Sequence, residues 1–180
     1  MIVPDPTMHR PARSSLRPLR IAALASFVLG AIGMLGSGVA ADSPHVVVLP
    51  TTGIVDNVMS GYLREGIAGA ARDGASAVII ELDTPGGSLT AMQDIATSIL
   101  EAPLPVIVWV APAGSRAASA GTFITLAANV AVMAPATNIG AASPVGGQGE
   151  DITGTEGLKV LNDAVAKITA IATERGRNVD

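Results

Sequence analysis

The chain has 180 residues, of which 49% are hydrophobic, 14% are charged and only 2% are aromatic. This length and composition indicate one folded domain with an aliphatic core, and they exclude a disordered chain. The absence of cysteine excludes disulfides, thiolate metal sites and a cysteine nucleophile.

The first forty residues have the features of an export signal. Four arginines precede an uncharged apolar stretch at 21–40, which ends in small residues. We predict that residues 1–40 are a secretory signal peptide or, alternatively, an N-terminal membrane anchor, since the stretch is long enough to span a bilayer. Both interpretations predict that residues 41–180 are exported, to the periplasm or another extracytoplasmic face of the membrane.

Charge excludes nucleic acid as a partner. Beyond residue 40 the chain carries seven basic and fourteen acidic residues, which is a net charge of −7. A nucleic-acid-binding surface needs clustered basic side chains, and we therefore expect none.

Hydrophobic periodicity and turn residues predict alternating strands and helices. In chain order these are a strand at 45–50 closed by Pro50, a helix at 57–73, a strand at 76–83, a turn at 84–87, a helix at 88–101, a strand at 106–110, a short helix at 119–128, a strand at 130–134, a loop at 137–157 and a last helix bearing Leu161, Val165 and Ile168. Apolar strands that alternate with helices predict a mostly parallel sheet covered on both faces.

An uncharged stretch at 117–149 raises the alternative of a transmembrane helix. Polar residues and several glycines and alanines interrupt it. A buried helix followed by a buried strand is the favoured interpretation.

The segment "RAASAGTFITLAA", residues 116–128, contains a candidate nucleophile. Ser119 is either a common helix N-cap or a nucleophile, which would need a base to take its proton. The N–H of the next residue, Ala120, lies in the first turn of the helix. It has no intrahelical partner there and is suited to stabilising an oxyanion.

A base for Ser119 has few candidates. His9 lies in the predicted signal and His45 opens the first strand, where a partly exposed structural histidine is the simpler interpretation. A lysine base must be neutral, a form that desolvation favours. Lys159 stands among apolar neighbours where the loop meets the last helix, which suits a partly buried amine, although taken alone it is more simply a surface lysine. Lys167 lies mid-helix and favours a solvated side chain with a packed stem.

The segment "DTPGG", residues 83–87, is a candidate second part of the site. Pro85 and Gly86 suit a tight turn, and Gly87 would let a substrate approach the backbone closely. The segment predicts either an oxyanion donor at Gly87, with Pro85 and Gly86 bordering the substrate cleft, or only a strand-to-helix turn.

Three segments together resemble a known family: "DTPGGSLTAMQDIATSIL", "AASAGTFITLAANVAVMAPATNIGAASPV" and "KVLNDAVAKITAIATERGRN". The chain resembles the N-terminal protease domain of long NfeD-family proteins, which are ClpP-class, membrane-bound Ser-Lys endopeptidases, over about residues 44–178. The resemblance implies an α/β, ClpP/crotonase-like spiral of parallel strands and helices. It also implies Ser119 as nucleophile, Lys159 as general base, the N–H groups of Gly87 and Ala120 as oxyanion hole, and no metal, nucleotide or other cofactor.

The resemblance also implies a function and partners. The family cleaves apolar polypeptide segments, such as one in a stomatin-like membrane protein, and ClpP-type enzymes assemble through their helices, so a homo-oligomer such as a dimer is expected. Long members continue with more of the protease fold, transmembrane helices and a small β-barrel. We therefore expect residues 41–180 to be a truncated protease domain and the full-length protein to associate with the membrane.

Two other functions compete with an endopeptidase. The first is a catalytically inactive scaffold that binds a stomatin-like membrane partner. The second is a crotonase-like acyl-CoA enzyme, which the few scattered basic residues and the export signal make the weakest of the three.

Overall fold

A computed structural model describes residues 43–147 and 149–179. The predicted export segment at 1–40 therefore lies outside the described residues. The elements, in chain order, are β1 (Val46–Thr52), α1 (Asn57–Arg72), β2 (Ala77–Asp83), α2 (Leu89–Leu100), β3 (Val106–Val110), β4 (Arg116–Ala118), α3 (Ala120–Ala127), β5 (Val130–Met133), β6 (Asn138–Gly140) and α4 (Gly154–Glu174).

Two parallel sheets organise the chain. The larger has the strand order β1-β2-β3-β5, and the smaller pairs β4 with β6. Single bridges between Val55 and Gly87 and between Thr84 and Ala117 continue the pairing of the smaller sheet towards the start of the chain. The chain therefore passes repeatedly from a strand of the larger sheet to the smaller sheet and then into a helix. These repeated units together form a spiral.

The predicted elements of the larger sheet are confirmed, with differences at their ends. Pro50 lies inside β1 instead of ending it. An edge strand tolerates proline because one of its sides has no ladder partner that requires an N–H. The predicted loop at 137–157 contains β6, and α4 begins within it at Gly154.

One face of the larger sheet forms the core with the helices. Alternate residues of β2 and β3 are fully buried there, and so are aliphatic side chains from α1 and α2; these are Val78, Ile80, Leu82, Val106, Val108, Val110, Leu63, Ile95 and Ile99. Each large aliphatic side chain contributes about 1.5–3 kcal/mol on burial. This packing fixes the carboxyl ends of β2 and β3, from which the site is built.

The other face of the larger sheet is open among the described residues. Its side chains include Val46, Val48, Trp109, Val130 and Val132, which are between 38% and 50% exposed. The prediction of a sheet covered on both faces is therefore wrong, and so is the prediction that the strand at 130–134 is buried. A run of apolar residues indicates a strand, but it does not say how many layers pack against it.

Helix α4 is held alongside α3 by two arginines. Arg175 donates through Nε to the carbonyl oxygen of Ala127 (2.6 Å) and through a terminal nitrogen to that of Ile99 (3.1 Å). Arg177 donates to the carbonyl oxygens of Leu126 (3.0 Å) and Ala128 (2.8 Å). The last carbonyls of a helix have no intrahelical donor, so these bonds satisfy the ends of α2 and α3 and fix the position of α4.

No helix in the described ranges is both long enough and apolar enough to cross a membrane. The uncharged stretch at 117–149 contains the eight-residue helix α3 followed by β5 and β6. Of the favoured interpretation, a buried helix followed by a buried strand, the buried helix and the presence of the strand are confirmed, but the strand is not buried.

Candidate active site

Ser119 occupies the sharp turn between β4 and α3. Its backbone has φ 52° and ψ −114°, a conformation that costs a non-glycine residue about 1–3 kcal/mol. Ser119 stands at the N-cap of α3, but its hydroxyl makes no capping hydrogen bond. Helix capping therefore does not explain why a serine occupies this position. A serine on a strained strand-to-helix turn is the arrangement that exposes a nucleophilic hydroxyl in other hydrolase folds.

The "DTPGG" segment is joined to β4, next to Ser119. The carboxylate of Asp83 accepts a hydrogen bond from the N–H of Arg116 (3.0 Å), and the N–H of Thr84 donates to the carbonyl of Arg116 (2.7 Å). The hydroxyl of Thr84 accepts the N–H of Gly86 (3.0 Å). These bonds fix the Pro85–Gly86 turn against β4, the strand that directly precedes Ser119.

Both glycines of the segment lie where a side chain would collide with a neighbour. At Gly86 (φ 106°) a Cβ would stand 2.6 Å from the Cβ of Ser119. At Gly87 (φ 157°) a Cβ would overlap the carbonyl of Val55. The paired backbone of Val55 therefore gives a structural reason for glycine at position 87, and close approach of a substrate to this backbone stays a prediction.

Two backbone N–H groups next to Ser119 have no acceptor among the described residues. The N–H of Val55 donates to Gly86 (2.9 Å) and that of Ser88 donates to Val55 (2.8 Å), which leaves the N–H of Gly87 between them without an acceptor in the described ranges. The N–H of Ala120, the first of α3, likewise has none there. Such groups, one of them at a helix N-terminus, are suited to binding a developing negative charge.

Ser119 opens into an apolar cavity of about 760 Å³. Gly87 and Ala120 line it, as does Pro85, whereas Gly86 is buried behind the serine. The apolar walls come from α2, α3, α4 and the loop that follows β6; they include Leu89, Met92, Phe123, Ala141, Ala142, Val145, Ile152, Val160 and Ala164. The lining residues in the described ranges include no acidic or basic side chain.

Lys159 lies on α4 directly before a wall residue of this cavity, Val160. Its own side chain is exposed, does not line the cavity, and makes no hydrogen bond or ion pair within the described ranges. Consecutive helical residues point about 100° apart, which accounts for the difference. The structure therefore brings Ser119, Gly86, Gly87, Ala120 and Pro85 together and leaves Lys159 outside the cavity.

The other candidate bases, His45 and Lys167, do not line the cavity either. His45 precedes β1 at the amino end of the larger sheet. The segment that contains Ser119 leaves this sheet at the opposite end, after the carboxyl end of β3. Lys167 is half-buried on α4, about two turns beyond Lys159. No group of three or more acidic or histidine side chains in the described part of the chain is placed to hold a metal ion.

Two buried threonines of the site were missed by sequence reasoning. Thr84 holds the glycine turn, and Thr122 is hydrogen-bonded to the strands around Ser119. A buried threonine does not disturb the hydrophobic pattern of a sequence, so neither residue is conspicuous. The one available signal is that Thr122 places a hydroxyl group three positions after Ser119.

The fold and site define a ClpP-like α/β protein. A variant of ClpP1 from Listeria monocytogenes matches with a TM-score of 0.56 and 19% identity, over 75% of this chain and 74% of its own. A likeness at that identity concerns the fold alone. The predicted ClpP-like arrangement of parallel strands and helices is confirmed.

The chain belongs to the family described as NfeD1b, N-terminal domain, which matches residues 45–179. Membrane-bound protease PH1510 of Pyrococcus horikoshii is 46% identical over 110 residues, which are 61% of this chain and 25% of that protein. Membrane protein NfeD1b of Bacillus subtilis is 33% identical over 134 residues, 74% of this chain and 30% of that protein. The predicted family is confirmed, and the chain spans about a quarter to a third of the length of these relatives.

Two solved structures of the 1510-N membrane-bound stomatin-specific protease are also similar. One, with a serine replaced by alanine, has a TM-score of 0.69 and 38% identity over 76% of this chain and 66% of that chain. The other, with a lysine replaced by alanine and bound to a substrate peptide, has a TM-score of 0.68 and 37% identity over 76% and 64%. Both structures match at an identity well above that of ClpP1.

Proposed function

We propose that the chain carries the catalytic centre of a serine endopeptidase that cleaves apolar polypeptide segments. The observation that supports this most strongly is the strained turn of Ser119. It exposes a hydroxyl in an apolar cavity that two unpaired N–H groups also line. Strain of this kind persists where the surrounding structure imposes it, and it is concentrated at functional sites.

In the proposed reaction the Oγ of Ser119 attacks the scissile carbonyl carbon while its proton passes to the neutral amine of Lys159. The N–H groups of Gly87 and Ala120 bind the oxyanion of the tetrahedral intermediate. Collapse breaks the C–N bond, and the leaving amine takes the proton back from Lys159. Water then attacks the acyl-enzyme with Lys159 again as the base, which regenerates Ser119.

The role of Lys159 rests on its position and on a relative. Its neighbour Val160 lines the cavity, so a rotation of the first turns of α4 when a peptide binds would carry the amine towards Ser119. In the 1510-N protease the serine and the lysine replaced in the two solved structures are separated by almost the same number of residues as Ser119 and Lys159. We propose that the loop after β6, which forms a wall of the cavity, orders at the same step.

The proposed substrate is an apolar stretch of a membrane-associated protein, such as a stomatin-like partner. The apolar walls of the cavity support the substrate class, and the name of the 1510-N protease, stomatin-specific, supports the partner. We further propose that the domain acts outside the cytoplasm and that the full-length protein associates with the membrane. The first of these proposals rests on the sequence pattern of residues 1–40, and the second on the relatives, which are named as membrane proteins.

A direct assay uses an apolar peptide with a fluorophore and a quencher at its ends. The full chain should cleave this peptide, and it should cleave poorly a matched peptide in which alternate apolar residues are replaced by glutamate, because the described lining of the cavity includes no basic side chain to pair with the added charges. Equal cleavage of the two peptides would contradict the proposed substrate class.

Replacing Gly86 with alanine should lower the rate of peptide hydrolysis about 100-fold or more. The new Cβ would meet the Cβ of Ser119, and displacing a nucleophile by about 1 Å costs on the order of 10² in rate. The matched control is Gly53→Ala, because Gly53 has a similar φ of 113° but open space around its Cβ. Both variants should lose stability in thermal unfolding, but only the change at Gly86 should slow hydrolysis to this extent; an equal loss of rate at Gly53 would contradict the prediction.

We also propose that two copies pair through α4. Leu158, Leu161 and Val165 form an exposed apolar stripe at helical spacing, and they are 62%, 42% and 53% exposed. Leu161→Glu should convert a dimer into a monomer in sedimentation measurements. Val48→Glu, which places the same charge on the open sheet face, should leave the dimer intact, and dissociation by Val48→Glu alone would place the contact on the sheet instead.

The second candidate function is a catalytically inactive scaffold that binds a stomatin-like membrane protein. The exposed position of Lys159 and the absence of ionisable side chains among the described cavity residues favour it. A scaffold would bind an apolar peptide in the cavity and leave it intact, and it would not react covalently at Ser119. An endopeptidase would cleave the peptide and would react covalently at Ser119.

A further inference from the structure

Thr122 makes a hydrogen-bond network around the turn of Ser119. It lies in the first turn of α3 and is only 8% exposed. Its hydroxyl is 3.1 Å from the carbonyl oxygen of Ala117 on β4 and 3.0 Å from that of Gly140 on β6, and it accepts the N–H of Gly140 at 3.1 Å. One hydroxyl thus joins the strand before the serine, the helix after it and the strand beside it.

The same network holds the backbone of Ser119 on both sides. Its N–H donates to the carbonyl of Gly140 at 2.8 Å, and its carbonyl accepts the N–H of Thr122 at 2.9 Å. The carbonyl of Gly140 therefore meets both the Ser119 N–H and the Thr122 hydroxyl. A backbone as strained as that of Ser119 needs several independent restraints, and two residues, Thr122 and Gly140, supply them.

Gly140 also leads directly into a wall of the cavity. The next two residues, Ala141 and Ala142, line it, and Ala141 has a positive φ of 52°. Fixing Gly140 therefore fixes the start of this wall relative to the serine hydroxyl.

Thr125, one helical turn later, shows what an ordinary buried threonine does in this helix. It is 2% exposed, and its hydroxyl donates to the carbonyl of Gly121 at 2.7 Å, within α3 itself. Such a bond to a residue four positions earlier is common in helices and links no other element. Thr122 differs because both of its acceptors belong to strands that flank the nucleophile.

We propose that Thr122 is a positioning residue for the nucleophile: its hydroxyl holds Ser119 and the cavity wall at 140–142 in the geometry needed for attack. This role rests on the proposed serine endopeptidase function. Thr122 touches neither substrate nor reacting atoms, and it acts through the backbone of Ser119 and Gly140.

The test compares Thr122→Val, Thr122→Ser and Thr125→Val in the full chain. Valine keeps the shape of threonine and removes the hydroxyl, whereas serine keeps the hydroxyl. Three quantities are measured: the rate constant for modification of Ser119 by a fluorophosphonate, kcat and KM for the quenched apolar peptide, and the midpoint of thermal unfolding.

Thr122→Val should lower both the fluorophosphonate rate constant and kcat by about 10- to 100-fold, in the range expected when a nucleophile is slightly misplaced, with KM changed less than threefold. Thr122→Ser should recover both to within about threefold of the wild type. Thr125→Val should keep the wild-type rates even if its unfolding midpoint falls as far. Thr122→Ala carries the same expectation as valine if the valine variant does not fold.

Wild-type rates in Thr122→Val, an equal loss of rate in Thr125→Val, or no recovery in Thr122→Ser would each overturn the positioning role while leaving the endopeptidase intact. A wild-type chain that neither reacts with the fluorophosphonate nor cleaves the peptide would instead overturn the proposed function, and the role of Thr122 with it.

Discussion

Replacing Ser119 with alanine should lower kcat for hydrolysis of the apolar peptide by about 10⁵-fold, because loss of a serine nucleophile leaves only binding and oxyanion stabilisation to act on the substrate. The hydroxyl makes no capping hydrogen bond, so its removal should cost little stability. The unfolding midpoint of the variant should stay close to that of the wild type, and the apolar peptide should still bind.

Ser143→Ala is the matched control for this change. Ser143 lines the same cavity but lies in the loop after β6, without the strained backbone of Ser119 or a helix N-terminus beside it. Its replacement should leave kcat within about threefold of the wild type. If Ser119→Ala keeps a substantial rate, or if Ser143→Ala loses as much, Ser119 is not the nucleophile.

Replacing Lys159 with alanine should lower the rate of acyl-enzyme formation by about 10³-fold, within the range that general-base catalysis contributes. Lys159→Arg should be nearly as slow, since a guanidinium does not give up its proton in proteins and cannot act as a base. The measurement is a single-turnover experiment with the apolar peptide, which separates acylation from binding and from product release.

Lys167→Ala provides the control for Lys159, because both lysines are on α4 and Lys167 is the more buried of the two. Its replacement should leave acylation within about threefold of the wild type. If Lys167→Ala slows acylation and Lys159→Ala does not, the base has been assigned to the wrong lysine. If neither does, a group outside the described ranges takes the proton, or water does.

The elements of the larger sheet could be predicted from the sequence because each has a strong local signal. Strands β2 and β3 are nearly continuous apolar runs, and α2 has Met92, Ile95 and Ile99 on one buried stripe. Strands β4 and β6 could not be predicted. Each has three residues, mostly small, and each is defined by its pairing with the other across a helix and β5.

The candidate site was predictable to different degrees. Ser119 and Gly87 were identified because a small-residue segment before an apolar helix and a Pro-Gly-Gly turn have recognisable patterns, and the structure places both in one cavity. The strain at Ser119 and the network of Thr122 arise from contacts distant in sequence, so no local pattern indicates them. The position of Lys159 was judged from its apolar sequence neighbours, but helical geometry directs its side chain away from the wall that Val160 forms.

The organisation of the site explains how the strained backbone of Ser119 is supported although the described lining of the cavity includes no charged side chain. The "DTPGG" segment, β4, α3 and β6 are bonded to one another through backbone groups and two buried threonines, and these contacts join segments that are distant in sequence around Ser119. Packing of the larger sheet fixes the outer ends of these segments. The strain at Ser119 is therefore opposed by many contacts of ordinary strength.

The most direct test of the site is the location of a fluorophosphonate adduct in the full chain, found by intact mass and peptide mapping. Attack by an activated serine forms an O–P bond and expels fluoride, so the native wild type should gain one adduct, on Ser119. The Ser119→Ala variant and the denatured wild type should gain none. An adduct on Ser88 or Ser143 of the native chain, or no adduct at all, would contradict a nucleophile at Ser119.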